Sequence, residues 1–284
     1  MADADPSARA ADDEARPSSA LSEEEHGAVS DRKRGSARVV HETIRLQGDE
    51  ELERPLTSLL LSGFSAGAAI SVSLLAEAAL QSRLPDVPWR ELVVGFGYTA
   101  GFLIVILGRL QLFTESTVTA VLPLATHPTV RNVLRLAQLW SAVFAANLAG
   151  TLLVAWLIAH EVIVSREQLD AAITLSASLQ EHDAWRTFLL AMPAGFLIAS
   201  VAWILPSAKG SEFWVILTVT YLITLCGFTH VVAGSTEAWL LWLSGRASLS
   251  WALGDFVVPS LLGNIVGGTG LFAALAHGQV RGEL

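Results

Sequence analysis

The sequence predicts an all-α integral membrane protein: six transmembrane helices in two halves of three, inverted relative to each other, with helices 2 and 5 broken. Three observations carry this. The 284 residues are 52% hydrophobic and only 16% charged, against about 25% charged residues in a soluble domain. Mean hydropathy is +0.50. Six apolar stretches follow Pro55, and the two that are too long for one ordinary span stand second in their respective halves.

Charge concentrates before the first span. Residues 1–54 form a charged tail. Residues 1–35 are rich in Ala, Asp, Glu, Ser, Arg and Pro and read as disordered or loosely helical. Residues 36–54 mix apolar and charged positions, which suits an amphipathic helix or a solvated linker equally. The start lacks the basic n-region and apolar core of a signal peptide, so the first span is expected to direct insertion. The net charge of -9, with acidic runs at Asp12-Asp13-Glu14 and Glu23-Glu24-Glu25, argues against a nucleic-acid partner. Arg32, Lys33, Arg34, Arg38, Arg45 and Arg54 precede the first span. The positive-inside rule therefore puts the N-terminus in the cytoplasm, and six spans return the C-terminus there, as in a multi-pass protein of the inner (plasma) membrane.

Residues 55–284 form the transmembrane domain, with apolar stretches at about 56–81, 92–125, 132–159, 186–206, 212–245 and 256–278. The first is dense in Gly, Ser and Ala, which permits close helix packing in lipid. The overlong second stretch contains Leu112-Phe113-Thr114-Glu115-Ser116-Thr117. The overlong fifth contains Gly227-Phe228-Thr229-His230 and then Ser235-Thr236. Each half thus has a Phe-Thr and a Ser-Thr step inside apolar surroundings. Asn147-Leu148-Ala149-Gly150 and Asn264-Ile265-Val266-Gly267 follow in the third and sixth stretches. Three spans per half give opposite orientations, the layout of many transport proteins. Irregular backbone at membrane depth is tolerated only where it is buried or lines a cavity. Its free amides and helix ends suit small polar or anionic solutes.

His230 is the leading candidate residue. An ionisable group at membrane depth is costly and marks function by default, and histidine changes charge near physiological pH. It could give an anion a hydrogen bond or a proton; the alternative is a buried histidine bonded to a backbone carbonyl. Arg109 and Glu115 flank the first interruption, where Arg109 could attract anions, pair with Glu115 or Glu237, or sit at a protein contact. Glu237 follows the second interruption and could face a vestibule. Thr114, Ser116, Thr117, Thr229, Ser235 and Thr236 can rebond backbone freed by a helix break. Asn147 and Asn264 could hold the broken segments through free carbonyls. Phe113 and Ile223 are candidate apolar constrictions. Cys226 is the lone cysteine, so no disulfide framework forms within one chain. The sequence carries no nucleotide loop, metal-ligand spacing or nucleophile triad, and neither a cofactor nor enzymatic activity is expected.

The ordered set Gly-Phe-Leu-Ile-Val-Ile-Leu-Gly, Leu112-Phe113-Thr114, Asn147-Leu148-Ala149-Gly150, Gly227-Phe228-Thr229-His230 and Gly263-Asn264-Ile265-Val266-Gly267-Gly268 resembles the formate/nitrite transporter family over about residues 55–280. The resemblance implies an aquaporin-like protomer with two broken helices, assembled as a homopentamer, each protomer passing a small monovalent anion. It puts the family's central pore histidine at His230 and its Leu-Phe-Thr break at Leu112, Phe113 and Thr114. The chain departs from the family pattern at Gln111 and Thr229, where glutamates are usual, and at Gly234, where asparagine is usual. It also lacks the family's loop lysine: its two lysines are Lys33 and Lys209.

The expected function is a channel or transporter for a small monovalent anion, formate- or nitrite-like, or its conjugate acid, with protons as possible co-substrate. Two alternatives stand beside it: a neutral-solute pore on the same fold, and a non-transporting membrane scaffold that uses the tail.

Overall fold

The computed structural model describes residues 37–281, and all regular structure among them is helical. In chain order the helices are α1 (Ala37–Glu53), α2 (Leu56–Gln81), α3 (Arg90–Leu107), α4 (Phe113–Thr119), α5 (Val121–Thr126) and α6 (Val130–Ala159). There follow α7 (Arg166–Ala177), α8 (Ala184–Ile204), α9 (Glu212–Leu225), α10 (Val231–Leu243) and α11 (Leu249–Val280). Expectations for residues 1–35 lie outside the described residues.

α2, α3, α6, α8 with its following turn, and α11 are long and apolar enough to cross a membrane. α9 and α10 are apolar but shorter. At 1.5 Å per residue, the 14 residues of α9 reach about 21 Å, short of the roughly 30 Å hydrocarbon core. The overlong second and fifth stretches of the sequence thus resolve into separate helical pieces. The sixth stretch, expected at 256–278, is longer at both ends, and two π-helical stretches, Ala252–Val257 and Val266–Ala273, interrupt its α-helical winding.

Local chemistry sets the ends. Thr129 accepts the Asn132 N–H to open α6, and Asp183 accepts the Arg186 N–H at 2.7 Å to open α8. Ser165 and Gln168 form a reciprocal capping box on α7. α7 falls between the third and fourth apolar stretches, outside every expected span. Its buried residues are few, Leu169, Ala171, Ala172 and Ser176, so its apolar signal is too thin to stand out beside the spans.

Lipid supplies no hydrophobic drive between helices, so contact depends on close approach. α2 packs along α6, and α8 along α11. A Cβ on Gly67 would stand 2.1 Å from the Asn147 carbonyl oxygen, and one on Gly195 would stand 2.3 Å from that of Asn264. α1 packs on the body through buried Val40, Ile44 and Leu52. Here Gly48 lies so close to the Thr119 carbonyl that a Cβ would meet it at 2.0 Å.

Gly67→Val and Gly195→Val should each force these helix pairs apart, at a cost of about 1–3 kcal/mol. Thermal melting of the detergent-purified protein should show the loss. Unchanged melting in both variants would mean that the backbones need not approach this closely.

Candidate functional site

Two apolar helices, α3 and α9, end shortly before another helix begins, and they end in the same way. After α3, the Leu110 N–H donates to the Val105 carbonyl at 3.0 Å and the Arg109 N–H to Ile106 at 3.1 Å. After α9, the Phe228 N–H donates to Ile223 at 2.9 Å and the Gly227 N–H to Thr224 at 3.0 Å. These are paired Schellman bonds, which return orphan carbonyls to protein partners. The turn residue is left-handed in both cases, with φ of 52° at Arg109 and 64° at Gly227. Glycine adopts this freely, whereas a side chain there costs roughly 1–2 kcal/mol. Arg109 is exposed and forms no ion pair with Glu115 or Glu237 among the described residues.

The chain then passes through one extended residue and starts a new helix. Leu112 (φ -98°, ψ 127°) precedes α4, and His230 (φ -105°, ψ 120°) precedes α10. A buried asparagine holds each start. Asn147 Oδ1 accepts the Phe113 N–H at 2.9 Å, while its Nδ2 donates to the carbonyls of Gly63 at 2.7 Å and Gln111 at 3.0 Å. Asn264 Oδ1 accepts the Val231 N–H at 2.8 Å, and its Nδ2 donates to Ala191 at 2.8 Å and Thr229 at 3.0 Å.

This bonding corrects the register of the motif comparison. Phe113 answers to Val231, not to Phe228. Thr117 Oγ1 donates to the Thr114 carbonyl as Ser235 Oγ does to Val232, so Thr117 answers to Ser235. The repeated Phe-Thr and Ser-Thr pairs fall out of step because two-residue matches ignore where the backbone changes direction.

The two helix starts meet at Thr114 and His230. Thr114 Oγ1 lies 2.7 Å from His230 Nε2, and the Ala233 N–H donates to Nδ1 at 3.1 Å. With Nδ1 accepting, the proton of the neutral ring sits on Nε2 and is donated to the threonine oxygen. That leaves the threonine's own hydrogen available to another acceptor. The edge of the Phe102 ring meets the imidazole, with centroids 5.0 Å apart and planes at 76°.

Leu112, Phe113, Ile223 and Thr229 are buried with them. Phe113 packs against Phe144 and Trp140. Ile223 serves the turn through its carbonyl, and Thr229 donates its N–H to Leu190. Phe102 carried no signal of its own, since an aromatic in an apolar run looks like any core residue. Glu77 in α2 was also passed over, though an acid inside an apolar span is itself a signal.

The departures from the family pattern have local partners. A Cβ on Gly234 would stand 2.4 Å from the Phe256 ring, so the ring occupies the room that a side chain would need. Gln111 is a bridge. Its Oε1 accepts from Arg54 at 2.7 Å, and its side chain lies near the Glu51 carboxyl. A glutamate there would face the Glu51 carboxylate. Thr119 Oγ1 donates to Glu51 at 2.8 Å. Burial pushes the Glu51 carboxyl up to about 7, against the Thr119 and Gln111 hydrogen bonds and the Arg54 charge, which pull it down.

The family model described as formate/nitrite transporter matches residues 38–278. The match begins before the expected residue 55 and takes in α1. The chain is 40% identical over 256 residues to the inner membrane protein YfdC of Escherichia coli (strain K12), covering 89% of this chain and 82% of that one. It is 27% identical over 244 residues to the formate channel FocA of Haemophilus influenzae (strain ATCC 51907 / DSM 11121 / KW20 / Rd), covering 76% and 84%. A solved pentameric formate channel with formate bound superposes with a TM-score of 0.64 at 20% identity, over 80% of this chain and 97% of that one.

Two outcomes test this geometry. Asn147→Asp and Asn264→Asp keep the acceptor but lose both amide donations. Each should cost about 2–6 kcal/mol from two unpaired carbonyls, read as a fall in melting temperature; an unchanged melt would remove the asparagines from the helix starts. For Glu51, a raised carboxyl binds its proton more tightly folded than unfolded, so stability falls as pH climbs from the ordinary 4.5 to about 7 and then levels off. Proteolysis of α1 should therefore be faster at pH 8 than at pH 5, and Glu51→Gln should flatten the difference. A difference that persists in Glu51→Gln would assign it to another group.

Proposed function

The chain belongs to the formate/nitrite transporter family, and from that premise we propose that it is a multi-pass inner-membrane channel or transporter for a small monovalent anion or its conjugate acid. Its protomer has six crossings in inverted halves, the second being α3 with α4–α5 and the fifth α9 with α10. Both termini are cytoplasmic, residues 1–54 lie outside the pore domain, and five protomers assemble, each with its own path. The matched bonding of Asn147 and Asn264 and the paired Schellman turns support the inverted repeat. The names of the relatives support the substrate class and assembly.

The observation that carries the proposal is the Thr114–His230 hydrogen bond at the meeting of two buried helix starts. Helix N-termini present unpaired N–H groups and a partial positive charge to an anion. Thr114 offers its hydroxyl hydrogen to the solute. His230 backs that hydroxyl through Nε2–H and, once protonated, can convert the anion to its neutral acid. Phe102, Phe113, Leu112 and Ile223 keep the surroundings apolar, so a hydrated ion must shed water or charge to pass. Thr229, Gln111 and Gly234 shape the helix starts, while Arg109 and Glu237 stand toward the two ends of the path. A neutral-solute pore is the second reading, favoured by the uncharged Gln111 and Thr229.

Stopped-flow flux into proteoliposomes tests this. Formate or nitrite flux should rise as pH falls from about 7.5 to about 5, and His230→Asn should reduce it by about 10²-fold or more and flatten the pH profile. An assembled His230→Asn protein with wild-type flux and profile would remove His230 from the mechanism. Uptake of a small uncharged solute without formate flux would favour the neutral pore.

A further inference from the structure

We infer that Glu77, Tyr98 and Glu237 form a proton-binding site at the end of the pore away from α1, which hands its proton to the arriving anion of a weak acid. The inference rests on the transport reading and adds to it the group that loads the proton.

Three helices bring these residues to one corner. Ser71 Oγ of α2 and Thr236 Oγ1 of α10 lie 2.8 Å apart, one residue before Glu237. Ser73 Oγ of α2 donates to the Tyr98 carbonyl of α3. Gly97 lets α3 settle on α2, since a Cβ there would stand 2.5 Å from the Glu77 nitrogen. Glu77 and Glu237 are within electrostatic reach of each other, and the Tyr98 phenol is within reach of both.

The second observation is what these groups lack. Tyr98 is 7% exposed and Glu77 is 9% exposed. Among the described residues neither the phenol hydroxyl nor either carboxylate has a hydrogen bond or ion pair. The other charged groups on the packed elements point elsewhere. Arg90 of α3 pairs with Asp86, and Glu91 is exposed. Arg166 of α7 pairs with Glu161 and Asp170; Glu167 of α7, His160 after α6 and Asp255 of α11 are exposed. Two carboxylates brought to one corner without a cation repel each other, Glu77 buried and Glu237 half-buried, and a proton held there relieves that repulsion.

Phe102 links the corner to the central bond: the Tyr98 and Phe102 ring centroids are 5.1 Å apart, and those of Phe102 and His230 are 5.0 Å apart. Glu237 follows His230 by two helical turns, about 10 Å along the axis. Phe102 therefore touches both Tyr98 of the acid corner and His230 of the central bond. An anion arriving from this end meets the acids first. The carboxyl O–H breaks, an O–H forms on the anion, and the neutral acid goes on past Phe102. The carboxylate left behind is reloaded from bulk water.

Proteoliposomes with a trapped pH dye test the site through formate and proton entry at outside pH 5 and 7.5. Wild type should carry protons with formate and show a strong pH dependence. The Glu77→Gln/Glu237→Gln double variant should lose that dependence, by about tenfold at least, with assembly intact by light scattering. A wild-type profile in the assembled double variant would overturn the site. The infrared band of a protonated carboxyl at pH 7 reads the pair without transport: present in wild type and lost in the double variant supports it, and absence from wild type overturns it. If wild type passes neither formate nor nitrite, the transport reading fails, and the infrared band still decides the proton site.

Discussion

A polypeptide at membrane depth has no water to satisfy its backbone, and each place where a helix stops there needs protein partners for every N–H and C=O. Among the described residues, apolar helices end and a new helix soon begins after α3 and after α9. Schellman bonds take up the carbonyls at the stops, and Asn147 and Asn264 take up the amides and carbonyls at the restarts. The rest of the architecture serves these positions. Gly67 and Gly195 bring α2 and α8 close enough to α6 and α11 for each asparagine to reach a carbonyl on the neighbouring helix, Gly63 and Ala191.

The chemistry of the centre follows from the same constraint. His230 is the extended residue before α10, so its Nδ1 caps the Ala233 N–H. That structural duty fixes the tautomer and turns Nε2–H toward Thr114. The backbone partner of the ring is the Ala233 amide, not the carbonyl that a buried structural histidine was expected to bond. Leu112, at the matching place before α4, has no such side chain, so the two restarts are alike in backbone and different in chemistry.

The residues that depart from the family pattern are absorbed by their neighbours. Gln111 accepts from Arg54 beside Glu51 without putting a second carboxylate there. Phe256 fills the space beside Gly234. Both changes remove polar groups or charge near the helix starts, while acids remain farther out, at Glu51 and Glu115 on one side and at Glu77 and Glu237 on the other.

Composition and hydropathy by themselves determined that the chain is helical and membrane-spanning, and placed most of the long apolar helices to within a few residues; the stretch read as 56–81 coincides with α2, Leu56–Gln81, whereas the sixth, read from 256, begins at Leu249. Both follow from the local cost of putting residues into lipid. The asparagines also stood out, because a polar amide in an apolar run is costly unless it is used. The sequence did not determine the register of the two halves, since short motifs slide while hydrogen bonds do not. It gave no sign that Phe102 would face His230, or that Glu77 and Tyr98 would share a corner with Glu237. Those pairings join residues far apart in the chain, and only helix packing decides which of many buried side chains meet.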